Sequence, residues 1–303
     1  METKNKLYKR NILLLIILVG IVISSAVLVY ANEYLSISKP SGKTPAIKKE
    51  VATKAAQDVF GAMNPNSRLT SIVLKERLPN NQLLWEAFSD KDSEIWVNAN
   101  NGEIRFLFDG ENSADRVDYA KNKFPAISRE QALSSIAQAA GKLKLEVPST
   151  KPDNAEMVNH SDNEGEPYEW NFKWAREKQG YKYHDDWVFI SVDAYKGQII
   201  GYNQNFASNE PTSLEIRIEK PEALELAGRL ASKEGFSLIQ NEAELMIVNP
   251  NYRWTEYMTK VPEANTRLAW VIVFDKPQAP FGGSGEIWID ASNGKMLGGV
   301  ETR

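Results

Sequence analysis

The chain has 303 residues, no cysteine and two histidines. Without cysteine there is no disulfide, no thiolate chemistry and no lipoprotein-type anchor, so any folded region must be held by its core alone. Two histidines leave little scope for imidazole chemistry. His160 lies in the acidic stretch Pro152 to Pro167 with Asp153, Glu156, Asp162, Glu164 and Glu166, and His184 precedes Asp185 and Asp186. Neither has the HExxH or Ser-His-Asp context that would mark a catalytic or zinc site. The acidic stretch lacks the ordered spacing of a calcium loop and reads as a solvated loop. Gly282-Gly-Ser-Gly285 lacks the Lys and the helix that follow a phosphate cradle, and reads as a connection between strands. No pair of acids is singled out for glycoside hydrolysis. The expectation is that the chain is not an enzyme and has no catalytic, metal or cofactor-binding residue.

The second scarcity is positive charge. Of 36 Lys and Arg and 40 Asp and Glu, 4 and 1 fall in the first eleven residues, which leaves the remainder at −7. Nucleic acid is a poor candidate partner, because backbone binding needs a net basic footprint and no basic stripe is present.

Apolar residues are plentiful. Ile12 to Ala31 (ILLLIILVGIVISSAVLVYA) carries no charge, and at helical rise it is long enough for a hydrocarbon core of roughly 30 Å. Lys4, Lys6, Lys9 and Arg10 precede it, so the positive-inside tendency places the N-terminus in the cytoplasm and everything after Asn32 outside. Val29 and Ala31 could precede a cleavage point, yet the run exceeds an ordinary secretory core. The reading favours an uncleaved signal anchor in the cell membrane, with a secreted protein as the alternative.

Three stretches superpose without a gap: Trp96 to Ile104 (WVNANNGEI), Ser191 to Ile199 (SVDAYKGQI) and Trp288 to Met296 (WIDASNGKM). Each reads as a β-hairpin. Asn98, Asp193 and Asp290 are placed to fold a side-chain oxygen onto nearby backbone N–H groups, and Gly102, Gly197 and Gly294 to take the positive φ that closes the turn. These six are expected to be structural turn residues rather than cation ligands. An aromatic strand stands upstream of each hairpin: Leu84 to Phe88, Tyr168 to Trp174 and Leu268 to Phe274. In the second, Trp170, Phe172 and Trp174 alternate onto one face. Trp170, Trp174 and Trp187 form a candidate aromatic surface, either packed on a helix or open to stack on sugars.

A helical pattern opens each segment. Ser128 and Gln131 make a capping box before Ala132, Leu133, Ile136, Ala137 and Ala140, with Gly141 as the stop. A second helix starts at Glu219 with Pro221 in its first turn and ends near Gly235, and another runs from about Ala46 to Gly61. The fold expected is α+β: an N-terminal transmembrane helix followed by three repeated two-layer units, each one helix on a small antiparallel sheet. The segments are a cytoplasmic tail (1–11), the anchor (12–31), a linker (32–45) and units over 46–110, 124–204 and 213–300.

Helix, Trp-containing strand and the apolar-x-Val-Asp-Ala-x-x-Gly-x-Ile hairpin together resemble the PepSY and YcdB/YcdC-type repeats of bacterial extracytoplasmic proteins. The likeness is clearest over Trp187 to Tyr202 and Glu286 to Gly299, and weaker in the first segment, where Asn98 stands in place of Asp. The resemblance implies a non-catalytic role: a tethered module that regulates, inhibits or stabilises an exported peptidase or cell-wall hydrolase. The alternative is an ectodomain that binds carbohydrate or peptidoglycan through exposed aromatics.

Overall fold

The computed structural model describes residues 39–40, 43–77, 82–110, 127–159, 168–206, 209–234, 237–251, 265–275 and 284–302. The hydrophobic segment 12–31, His160 and Gly282-Gly283 lie outside them. Among the described residues no helix is long and apolar enough to cross a membrane.

Each helix follows from a local signal. Helix α1 (Lys49–Met63) buries Ala52, Ala56, Val59 and Phe60 at helical spacing. It starts three residues later than Ala46 because Ile47 is held extended, its N–H donating to Ala99 O at 2.8 Å. Helix α2 (Arg129–Leu143) has the full capping box, with Gln131 N–H donating to Ser128 Oγ and Ser128 N–H to Gln131 Oε1. It runs through Gly141 and ends at Lys144, whose left-handed φ of 56° lets its N–H reach Ala140 O and Gly141 O. Helix α3 (Lys220–Glu234) carries Pro221 in its first turn, where the missing N–H has no helical partner to lose.

Thirteen strands complete the described chain: β1 (Lys39–Pro40), β2 (Leu69–Arg77), β3 (Gln82–Ser89), β4 (Glu94–Asn98), β5 (Ile104–Phe108), β6 (Asn154–Asn159), β7 (Tyr168–Lys178), β8 (Tyr181–Asp193), β9 (Ile199–Asn205), β10 (Ser237–Val248), β11 (Arg267–Asp275), β12 (Ser284–Asp290) and β13 (Met296–Thr302). They form one sheet in the order β1-β2-β3-β4-β5-β9-β8-β10-β11-β12-β13, with β7 on the other side of β8 and β6 outside β7. All pairings are antiparallel except β8 with β10, which is parallel and two residues long: Met246 opposite Lys182 and Ile247 opposite Tyr183.

This corrects the expected fold class. The described residues form not three separate helix-on-sheet units but a single mixed sheet with three helices, and the expected membrane helix lies outside them. The joins are backbone ladders between distant segments: Phe106, Leu107 and Phe108 of β5 pair with Asn203, Tyr202 and Gly201 of β9. Helices α1 and α2 accordingly share one core, in which Phe60, Ile95, Leu107, Ile136, Phe172 and Tyr202 are buried. Helix α3 covers a second core built by β10 to β12 with Tyr183 of β8. The acidic stretch is also corrected in part, since its first half forms strand β6.

Strand β8 is where the sheet forks. Its C-terminal half, Trp187 to Val192, pairs with β9, while Lys182 and Tyr183 pair with β10 on the same edge. The side-chain phase changes between them: buried positions run Tyr183, then Asp186, Val188, Ile190 and Val192, with Ser191 and Asp193 buried as well at the C-terminal end. Strict alternation would have made 183 and 186 face opposite ways.

Candidate interaction surface and charge clusters

The three hairpins share one turn geometry. Gly102, Gly197 and Gly294 have φ of 81°, 68° and 72°, and their N–H groups donate to the carbonyls of Asn98, Asp193 and Asp290 at 2.8 to 2.9 Å. The Asx side chains accept backbone N–H groups two residues on, from Asn100, Tyr195 and Ser292, each at 2.8 Å. Asp193 takes a further bond from Lys196 N–H at 2.7 Å. In all three the Oδ1 atom is engaged by the turn, and the three turns lie in different parts of the sheet.

A second contact ties each hairpin to its helix. Trp85, Trp170 and Trp270 donate their indole N–H to the carbonyls of Ile47, Ile127 and Ile218, at 2.9, 3.3 and 2.8 Å. The N–H groups of the same isoleucines reach Ala99, Ala194 and Ala291. What recurs in this chain is therefore a turn and an anchor.

The candidate aromatic positions do not form one platform. Trp174 is 2 % exposed in the core, with its indole N–H on Thr150 O at 3.0 Å, and Trp170 packs half-buried against the same core under the helices. Trp187 is on the opposite face, edge-on to Phe189.

That opposite face, which no described helix covers, holds a row the sequence reading missed. Register places Val73, Glu86, Trp96, Phe106, Asn203, Phe189 and Lys173 side by side across β2, β3, β4, β5, β9, β8 and β7. Trp96 stacks on Phe106 with ring centroids 4.3 Å apart, and the Arg77 guanidinium lies 4.0 Å over its other side. Beside them Glu86 is completely buried, with Arg77 Nε at 2.6 Å and Lys75 Nζ at 3.0 Å. The Lys75 contact is an ion pair without hydrogen-bond alignment. Four large hydrophobic residues are exposed among the described residues. Three of them, Val73, Phe108 and Val300, stand on this face. The signal for it was Glu86 at an inner position of the apolar run Leu83 to Phe88, since a carboxylate there needs a cation opposite.

Two charge clusters flank the fork. Arg176 binds Asp186, itself 0 % exposed, at 3.0 Å and Glu210 at 2.6 Å, and its guanidinium lies 4.4 Å from the Tyr183 ring. Lys178 also contacts Glu210. On the other side His184 is held between two carboxylates, Nδ1 2.7 Å from Asp185 and Nε2 2.6 Å from Glu286 of β12. Trp288 N–H donates to the same Glu286 oxygen at 3.2 Å, and its ring meets the imidazole edge-on at 5.0 Å. Burial pulls the His184 pKa down, but the hydrogen bonds and charges of Asp185 and Glu286 outweigh it and raise it to about 9. Both ring nitrogens are occupied, so this imidazole offers no free nitrogen to a substrate. Among the described residues no group of three His, Asp or Glu is arranged to hold a metal ion.

No family model and no curated protein matches the chain. Among solved structures, the Bacillus megaterium YpeB C-terminal domain is similar at 12% identity and a TM-score of 0.42, over 86% of this chain and 100% of that one. An uncharacterized protein from Eubacterium rectale is similar at 14% identity and a TM-score of 0.47, over 86% of each chain. Likeness at this level says nothing of activity.

Proposed function

We propose that the protein is a non-catalytic binding module of the PepSY or YcdB/YcdC type, anchored in the cell membrane through residues 12–31 with its folded part outside. Its partner is another exported protein, a peptidase or cell-wall hydrolase that it regulates or stabilises. The observation that carries the reading is the sheet face that no described helix covers, where Val73, Phe108 and Val300 are 40, 43 and 37 % exposed. Half-buried Trp96, Phe106, Phe189 and Trp187 lie between them, the amphipathic aromatics that dominate protein contacts. Sugar stacking has less support, because Trp174 is buried and both faces of the Trp96 ring are taken by Arg77 and Phe106. Crosslinking in intact cells, followed by mass-spectrometric identification, tests the proposal. Recovery of an exported peptidase or wall hydrolase above a strain lacking the protein is expected, and recovery of no exported protein with the tethered chain present contradicts it.

A further inference from the structure

The seam between the two halves of the sheet is thin. The core under α1 and α2 and the core under α3 share no residue. Strands β10 to β13 join the rest of the sheet through two residue pairs, Met246 with Lys182 and Ile247 with Tyr183, and Tyr183 is the one fully buried side chain that β8 lends to the second core. The His184 clamp spans this seam. Its imidazole comes from β8, one acceptor from the same strand and the other, Glu286, from β12, three strands away. Between them β10 and β11 contribute the apolar residues Met246, Val248, Ala269 and Val271, which pack with Trp288. Among the described residues, Asp185 and Glu286 are the charged groups in contact with the ring.

We propose that protonated His184 is a latch that holds β10 to β13 and α3 onto β8, and that loss of its proton lets this section part from β8 and, with Tyr183 withdrawn from its core, open, while the core under α1 and α2 stays closed. The chemistry requires the charged form: an imidazolium donates from both nitrogens, so it satisfies both carboxylates at once. A neutral ring donates from only one and leaves the other nitrogen lone pair facing a carboxylate. That repulsion falls across the seam, where only two residue pairs of ladder oppose it. The position of the proton affinity, about 9, places the release on the alkaline side.

Hydrogen exchange of the full chain, corrected for intrinsic rates and read by mass spectrometry, tests the latch. Between pH 7 and pH 10, protection in 237–248 and 284–302 is expected to fall by about tenfold to a hundredfold while 82–108 keeps its own. Glu286→Gln, which preserves shape, moves the midpoint of that change to lower pH, and His184→Phe shows the alkaline pattern already at pH 7. With two histidines in the chain, the imidazole proton resonance absent from His184→Phe identifies the titration. An equal loss over both sections, or unchanged protection in 237–248 and 284–302 in wild type and both variants, overturns the latch.

Discussion

Replacing Arg77 with Met tests whether the charged row on the uncovered face is part of the folded core. The Glu86 side chain is 0 % exposed and Arg77 15 %, at 2.6 Å. Removing one partner of a buried pair costs about 3 to 5 kcal/mol, because the other charge is left in a site that does not solvate it. Lys75 remains 3.0 Å from Glu86 and is 31 % exposed, so the loss belongs at the lower end, about 3 kcal/mol including the contact over Trp96. Glu86→Leu removes the buried charge and leaves Arg77 over Trp96, with Glu94 at 3.9 Å, and is expected to cost about 1 to 2 kcal/mol. The double variant has neither charge and keeps the volume, and is expected within about 1 kcal/mol of wild type. Urea unfolding of the four proteins gives a coupling of about 3 to 5 kcal/mol. Single losses under about 0.5 kcal/mol that simply add would refute the reasoning and place both groups in water.

Three further outcomes follow from the same geometry. Gly197→Ala is expected to be more destabilising than Gly102→Ala. Both positions need a positive φ, at about 1 kcal/mol, but a Cβ at 197 would stand 3.0 Å from Ser135 Oγ whereas at 102 its nearest neighbour is 3.9 Å away; equal urea midpoints would contradict this. Trp174→Ala should cost about 3 to 5 kcal/mol as a core truncation, and Trp187→Ala less than half of that, since the two lie on opposite faces and only the first is enclosed. Stability should also fall on the alkaline side: the raised His184 pKa makes its contribution complete below about 6.5 and lost as pH rises through about 9, at most about 3 kcal/mol. Glu286, lowered by its bonds to His184 despite burial, limits the clamp at the acid end. A urea midpoint unchanged from pH 7 to pH 10 would count against it.

What the sequence disclosed was local. Ser128 with Gln131 specifies a helix start by itself, and an Asn or Asp followed four residues later by Gly specifies a turn by itself, so neither needs the rest of the chain. The pairing of β5 with β9 and the two-residue ladder of β8 with β10 left no such trace, since backbone hydrogen bonds are available to any extended residue. That is why three sheets were expected where one exists. The faces of Trp174 and Trp187 follow from alternation within their own strands, but their exposure depends on what covers each face. The His184–Glu286 contact joins residues 102 apart, and nothing in the stretch His184-Asp185-Asp186 names β12 as its neighbour.

The most direct test of the binding account places a photo-crosslinking amino acid at Phe108 or Val73 on the uncovered face, and at Val51, 55 % exposed on α1, as control. In intact cells the account predicts adducts with one exported protein from positions 108 and 73 and none from 51. Adducts from 51 alone, or equal yields from all three positions, would contradict it.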